Sequence, residues 1–417
     1  MKLQCVLTLL LIFCSFAAVG NVNTEITRND ANQWTVTYTA TLPTKKIVFN
    51  RNPNDSRATR WKPLSDKFVV SYRNKQEFIQ RTDGQDFTSV SLMLTPTYTP
   101  LPKEYAPFSP FSDGGMLFHS ARFFACIESC LGTNTWNMSV SAGKHDNIIV
   151  NGELFIEKAH WTDSNSGQKI YVGESQPKSD ALFVSIIDER LPASLQTAIA
   201  TKLPPLMRFF TEKLGSLDYR PSLFASYSES INGEYGRQGG TLDSQIFMHW
   251  YGKQSIQNLD SDSTYWFFAH EVAHIFQRSA ANIESPADAW IHEGAAELFA
   301  GLASDHEYFL DALSKAKAAC KKTIEDGENY RTIAAKNPKV HYSCGLVIMN
   351  AINSELIVKG EITIFDLWLL FDKRVSQGSA ANSKVFIETL QPYVSEALFR
   401  MLDRLYKEGH FPRLQHL

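Results

Sequence analysis

The amino-acid sequence predicts an α+β chain, in which an antiparallel β region precedes a mixed region that becomes mostly helical. Three observations carry this. Between about Gln33 and Leu182 short runs alternate apolar and polar residues, as in Trp34-Thr35-Val36-Thr37-Tyr38, Phe68-Val69-Val70-Ser71-Tyr72, Ser89-Val90-Ser91-Leu92-Met93-Leu94 and Asn147-Ile148-Ile149-Val150. A period of two, rich in β-branched and aromatic side chains, means strands, and many in series mean an antiparallel, sandwich-like domain, drawn here over residues 21–180. After about Ala181 the character shifts, and from Ser263 onward apolar residues recur at helical spacing, which sets a second domain over 181–417. The 417 residues carry 41 basic and 44 acidic side chains, a net charge of -3, and are 44% hydrophobic. That composition excludes disorder, and the near-neutral balance argues against nucleic acid as a partner.

The elements follow in chain order. Met1-Lys2 gives a short positive end, Cys5 to Val19 is nearly unbroken apolar sequence, and Ala18-Val19-Gly20 places small residues where a signal peptidase reads. Residues 1–20 are therefore expected to be a cleaved signal, and the chain to be exported, periplasmic or secreted. A retained anchor is the rival reading, but the apolar run is shorter than the roughly 18 to 20 residues a spanning helix needs. A lipid anchor at Cys14 fits less well, because Leu11-Ile12-Phe13 is a poor lead-in. No later segment is long and apolar enough to span a bilayer.

Export changes how the cysteines are read. Cys126, Cys130, Cys320 and Cys344 remain after the signal, an even number that favours disulfides in an oxidising compartment. Four cysteines allow three pairings, of which Cys126 with Cys130 and Cys320 with Cys344 are preferred here. A four-cysteine zinc site is the alternative. Asn54-Asp55-Ser56 and Asn137-Met138-Ser139 match the glycosylation pattern, although chance triplets explain them as well. A helix is expected between Pro192 and Leu214, broken or restarted at Pro204-Pro205. Strand-like runs follow at Leu223–Tyr227 and Leu242–Tyr251. Helices then run to the C-terminus with breaks at Ser285-Pro286, around Gly327, at Asn337-Pro338 and at Gly360.

The chemistry concentrates in Trp266-Phe267-Phe268-Ala269-His270-Glu271-Val272-Ala273-His274. His270 and His274, four apart, stand about 40° apart around a helix and one turn along it, so both imidazoles leave one face and can bind one cation. Glu271 is placed to act on water beside that cation. After the break at Pro286 comes Trp290-Ile291-His292-Glu293-Gly294-Ala295-Ala296-Glu297, with eighteen residues between His274 and Glu293. Glu293 reads as a third ligand from the next helix, giving two His and one Glu with an open fourth position. Glu297, one turn on, is placed to accept a hydrogen bond from a ligand histidine; the alternative is a solvated helix acid. His249 and His341 read as packing or pocket residues, and His292 as a neighbour of the site.

HEVAH, its 18-residue spacer and Trp-Ile-His-Glu-Gly resemble the gluzincin metallopeptidases, in particular the zinc aminopeptidases related to aminopeptidase N and glycyl aminopeptidase. The resemblance covers residues 260–300 best and extends more weakly over 220–360. It implies a thermolysin-like catalytic domain, one Zn2+ per chain and hydrolysis of peptides. In that group a Glu in a Gly-Ala-Met-Glu-Asn strand meets the substrate's free amino group. Gly240-Thr241-Leu242-Asp243-Ser244 holds that place here, so the resemblance makes Gly240 and Asp243 substrate-binding candidates, with Asp243, 27 residues before His270, as the amine anchor. The alternative for Asp243 is an ordinary acid at a strand end. The group also has a Tyr in a Tyr-x-Lys-Gly helix start that steadies the oxyanion. Tyr342-Ser343-Cys344-Gly345 matches except for Cys344, which makes Tyr342 a catalytic candidate beside Glu271. The expected activity is that of an aminopeptidase, with an open-cleft endopeptidase and a non-catalytic peptidase-like binding protein as alternatives.

Overall fold

A computed structural model describes residues 18–19, 21–101, 104–164, 166–179, 182–230, 232–257, 259–325 and 329–409. Of the expected signal only Ala18–Val19 falls among them, and the expected break around Gly327 lies outside. The chain divides into two compact units. The first takes in the described residues up to Ser109, then Met116–Val150 and Leu154–Glu174; the second takes in Pro110–Gly115, Asn151–Glu153 and the described residues from Ser175 onward.

The first unit is built from strands in three sheets around one apolar core. In the largest, Trp34–Thr44 lies between Val22–Arg28 and Phe87–Met93, antiparallel to both. The alternation read from the sequence is the burial pattern: Trp34, Val36, Tyr38 and Ala40 point into the core while their neighbours do not. Thr133–Ser141 joins the same sheet antiparallel to Lys158–Ser164 but parallel to Val22–Arg28, a parallel pair that the alternation alone did not predict. Phe49, Trp61, Phe108, Phe118 and Phe123 interlock as an aromatic core, their ring centroids 5.0 to 5.9 Å apart. Cys126 and Cys130 form a disulfide, with Cα atoms 5.2 Å apart.

The second unit opens with a five-stranded sheet: β1 (Lys178–Ser179), β2 (Val184–Ile187), β3 (Ser222–Ser228), β4 (Gly236–Leu242) and β5 (Gln245–Tyr251), in the order β1-β2-β3-β5-β4. β2, β3 and β5 are parallel; β4 pairs antiparallel with β5 and forms the edge. The alternation pattern alone did not show the glycine-rich β4, because Gly weakens the strand signal; only the resemblance placed Gly240 in a strand. Helix α1 (Ala193–Leu214) is continuous through Pro204 and Pro205, which corrects the expected break. Leu203, Leu206, Met207 and Phe210 are buried on one face while Pro205 is exposed on the other, so packing holds the helix and water can serve the carbonyls the prolines leave unbonded.

The helices that follow are α2 (Ser261–Gln277), α3 (Trp290–Leu302), α4 (His306–Glu325), α5 (Tyr330–Lys336), α6 (Val340–Lys359), α7 (Ile364–Ser376), α8 (Ser383–Leu390) and α9 (Glu396–Glu408). The break at Ser285-Pro286 is a short 3-10 turn, and α6 stops at Gly360, whose φ of 68° is left-handed. α3 and α6 cross backbone against backbone: a Cβ on Gly294 would stand 2.5 Å from the Gly345 carbonyl carbon, and one on Gly345 would stand 2.8 Å from the Gly294 Cα. A second disulfide, Cys320–Cys344, joins α4 to α6 with Cα atoms 4.9 Å apart and both residues fully buried. Removing it with Cys320→Ala and Cys344→Ala is expected to cost about 3 kcal/mol for a loop of this size. Denaturant titration under non-reducing conditions measures this, and an unchanged midpoint would show that the bridge does not constrain the unfolded chain.

Candidate metal centre

Asp260 starts α2 by accepting from the backbone N–H groups of Asp262 and Ser263. Phe268, Ala269, Val272, Ala273, Ile275 and Phe276 are buried along the helix and fix its rotation. His270 and His274 therefore emerge together, with their Nε2 atoms 2.9 Å apart. α3 starts at Trp290, whose buried indole N–H donates to Ser383 Oγ at 3.1 Å, and this anchor sets the first turn that carries Glu293. Glu293 Oε2 lies 3.2 Å from His270 Nε2 and 3.2 Å from His274 Nε2. His270, His274 and Glu293 thus bring three metal-ligand atoms together.

The outer atoms of the same side chains explain what the inner ones are for. His274 Nδ1 stands 2.8 Å from Gln277 Oε1, and His270 Nδ1 stands 3.1 Å from Glu297 Oε1. Glu297 is itself steadied by the Trp266 indole N–H at 2.7 Å, and His292 Nε2 lies 3.4 Å from the other oxygen of Glu293. With a proton on each Nδ1, two nitrogen lone pairs and a carboxylate oxygen face one another at the centre. That arrangement needs a positive charge between them, and two imidazoles with one carboxylate are a donor set suited to Zn2+.

The surroundings of each group likewise favour positive charge at the centre. Burial alone would lower the pKa of His270, but hydrogen bonding to Glu293 and Glu297 outweighs it and holds the imidazole well above its ordinary value. Burial would raise Glu293, yet His270, His274 and His292 hold it well below the usual carboxylate range. Burial, then the charges of Glu293 and Glu271, push the Tyr342 phenol far up, so it is a protonated donor at neutral pH. Its ring lies over that of His270, with centroids 5.4 Å apart and planes 27° apart. Tyr342 sits in the first turn of α6, two residues before Cys344 and three before Gly345.

Glu271, 9% exposed, leaves α2 beside the first histidine, and Thr241 Oγ1 donates to its Oε2 at 2.5 Å. The resemblance had pointed to Asp243 in this strand. The structure instead places Asp243 in the exposed turn between β4 and β5, where its backbone carbonyl accepts from the Tyr219 hydroxyl at 3.0 Å, and brings Thr241 to Glu271. Gly240 lies within β4 opposite Phe247, and the closest approach belongs to Gly239, where a Cβ would stand 2.7 Å from Phe267 Cζ on α2. Thr241, Gln277 and Trp266 were not singled out from the sequence. Gln277 was within reach of it, being one helical turn from His274; Thr241 was not, since only the strand-to-helix packing brings it in. Beside the centre opens a groove of about 490 Å³, with Trp266, Glu297, Tyr308, Lys339 and Tyr342 in its walls.

No protein-family model matches this chain, and no curated protein matches it. Solved structures do. The chain is similar to an aminopeptidase N family protein from Idiomarina loihiensis, at TM-score 0.60 and 12% identity over 91% of this chain and 75% of that one. It is also similar to an M1 zinc metallopeptidase from Deinococcus radiodurans, at TM-score 0.51 and 12% identity over 95% of each chain. A mutant of that enzyme bound to a Tyr-Ser-Ala substrate aligns at TM-score 0.52 and 13% identity, again over 95% of each. The chain has the M1 zinc metallopeptidase fold, in agreement with the gluzincin resemblance read from its motifs.

Proposed function

We propose that this protein is an exported zinc peptidase of the aminopeptidase type, with His270, His274 and Glu293 as the residues that hold Zn2+. The observation that carries the reading is the convergence of two imidazole nitrogens and a carboxylate oxygen, all within 3.2 Å, one residue along the helix from a buried carboxylate. The substrate-bound neighbour supports a peptide as the ligand. Zn2+ supplies Lewis acidity for activating water and polarising a carbonyl. Glu271 takes the proton of the attacking water and returns it to the departing amine, while Thr241 keeps its carboxylate oriented. The Tyr342 hydroxyl donates to the oxyanion as charge develops there. Glu297 keeps His270 facing inward. Export rests on the signal-like segment, and two disulfides suit an oxidising compartment.

One observation favours a second reading, an endopeptidase. The acid expected to meet an amino terminus is in an exposed turn, and the β4 side chain at Glu271 is the neutral Thr241. Hydrolysis of matched peptides with free and acetylated amino ends, using Glu271→Gln as the blank, separates the two. Cleavage confined to free ends establishes the aminopeptidase, cleavage of both the endopeptidase. No zinc-dependent cleavage of either points to a binding protein. Thr241→Val is expected to lower kcat about tenfold at unchanged zinc content, the size of losing one hydrogen bond to a charged group. Unchanged turnover would mean that Glu271 is oriented without it.

A further inference from the structure

The end of α2 carries a side chain with two jobs. Gln277 is fully buried, and both ends of its amide are engaged. Nε2 donates to the backbone carbonyl of His292 at 2.7 Å, on the turn immediately before Glu293. Oε1 faces His274 Nδ1 at 2.8 Å. The orientation of the amide is set by chemistry: the His292 carbonyl can only accept, so the nitrogen must face it and the oxygen must face the histidine. His274 Nδ1 must then be the donor, which leaves Nε2 unprotonated and directed at His270 and Glu293. The backbone carbonyl of Gln277, at the last turn of α2, is in turn held by the Trp368 indole N–H at 3.3 Å. One amide therefore fixes the tautomer of a residue on α2 and ties it to the start of α3.

We propose that Gln277 is a positioning residue that presets the metal centre, holding His274 with its proton on Nδ1 and locking the distance between the helix of the two histidines and the turn bearing Glu293. This rests on reading His270, His274 and Glu293 as a zinc site. The two histidines are backed differently, His270 by the carboxylate of Glu297 and His274 by a neutral amide. Carboxylates behind a ligand imidazole raise its basicity, whereas an amide orients it without adding charge.

The test uses the full mature chain. Zinc affinity is measured by competition with a chromophoric chelator for wild type, Gln277→Met and Gln277→Glu. Gln277→Met, matched in length but unable to accept, is expected to weaken zinc binding 10- to 100-fold, the usual range for losing an outer partner of a ligand. Gln277→Glu keeps the acceptor for His274 but cannot donate to the His292 carbonyl, and is expected to recover only the part of that loss that comes from the tautomer. In the metal-free wild type, nitrogen-15 NMR of the imidazoles is expected to show His274 as the Nδ1–H tautomer. Equal affinity of wild type and Gln277→Met, with both folded by circular dichroism, would overturn the proposal, as would a His274 protonated on Nε2 alone. If wild type fails to bind zinc, the metal-centre reading fails instead. The tautomer measurement, which needs neither metal nor variant, still decides the role of Gln277.

Discussion

On the proposed mechanism, Glu271→Gln is expected to lower kcat on a peptide by about a thousandfold and to leave zinc bound, within the range by which a positioned general acid–base acts. The amide has the shape of the carboxylate and still accepts from Thr241, so the packing around its buried position survives. What it lacks is a group that can take a proton from water and give it up to the amine. Zinc content should stay at wild-type level, because the proposed ligand atoms belong to His270, His274 and Glu293. KM should move little, since the loss falls on the chemical step. Parallel assays of turnover and metal content check this. Full activity in the variant would remove Glu271 from the mechanism, and loss of zinc would make it a structural prop of the centre.

The second large effect is expected at a residue that touches no substrate. Gly345→Val drives a side chain into the place where α6 meets α3, with the Gly294 Cα and the Trp290 carbonyl both 2.8 Å from the new Cβ. These are backbone atoms and cannot swing aside, so the helices must separate. Overpacking of this kind costs about 3 kcal/mol, which urea titration measures as a fall in the midpoint. Activity should fall further than stability alone explains. Glu293 adjoins Gly294 on one helix and Tyr342 lies one turn from Gly345 on the other, so separating the helices pulls the proposed ligand and the proposed oxyanion donor apart. A variant of wild-type stability and turnover would show that the contact has slack.

Much of this centre could be read in the sequence because its parts are helical. A four-residue spacing fixes a shared face whatever the fold, which is why His270 and His274 could be paired and Glu297 placed one turn beyond Glu293. The glycines of the Glu293-Gly294 and Cys344-Gly345 segments stand in the motifs, but their reason appears only when two helices cross. The strand was harder. A motif carried over by resemblance pointed to Asp243, yet the hairpin turns at Asp243-Ser244, and the side chain that reaches α2 comes two residues earlier. Register in a glycine-rich edge strand has no apolar pattern to fix it. Pro204-Pro205 misled for the opposite reason, since tertiary packing overrode a strong local signal.

The buried Cys320–Cys344 bridge also offers a clock. Both sulfur-bearing residues are fully shielded, so a small thiol reaches them only when α4 and α6 part. The rate at which Cys320 and Cys344 themselves become alkylatable under reductant, followed by peptide mapping apart from the Cys126–Cys130 pair, therefore reports how often the Tyr342 helix opens, on the timescale of hydrogen exchange. Compared with and without zinc, that rate tells whether loading the centre stills the helix beside it.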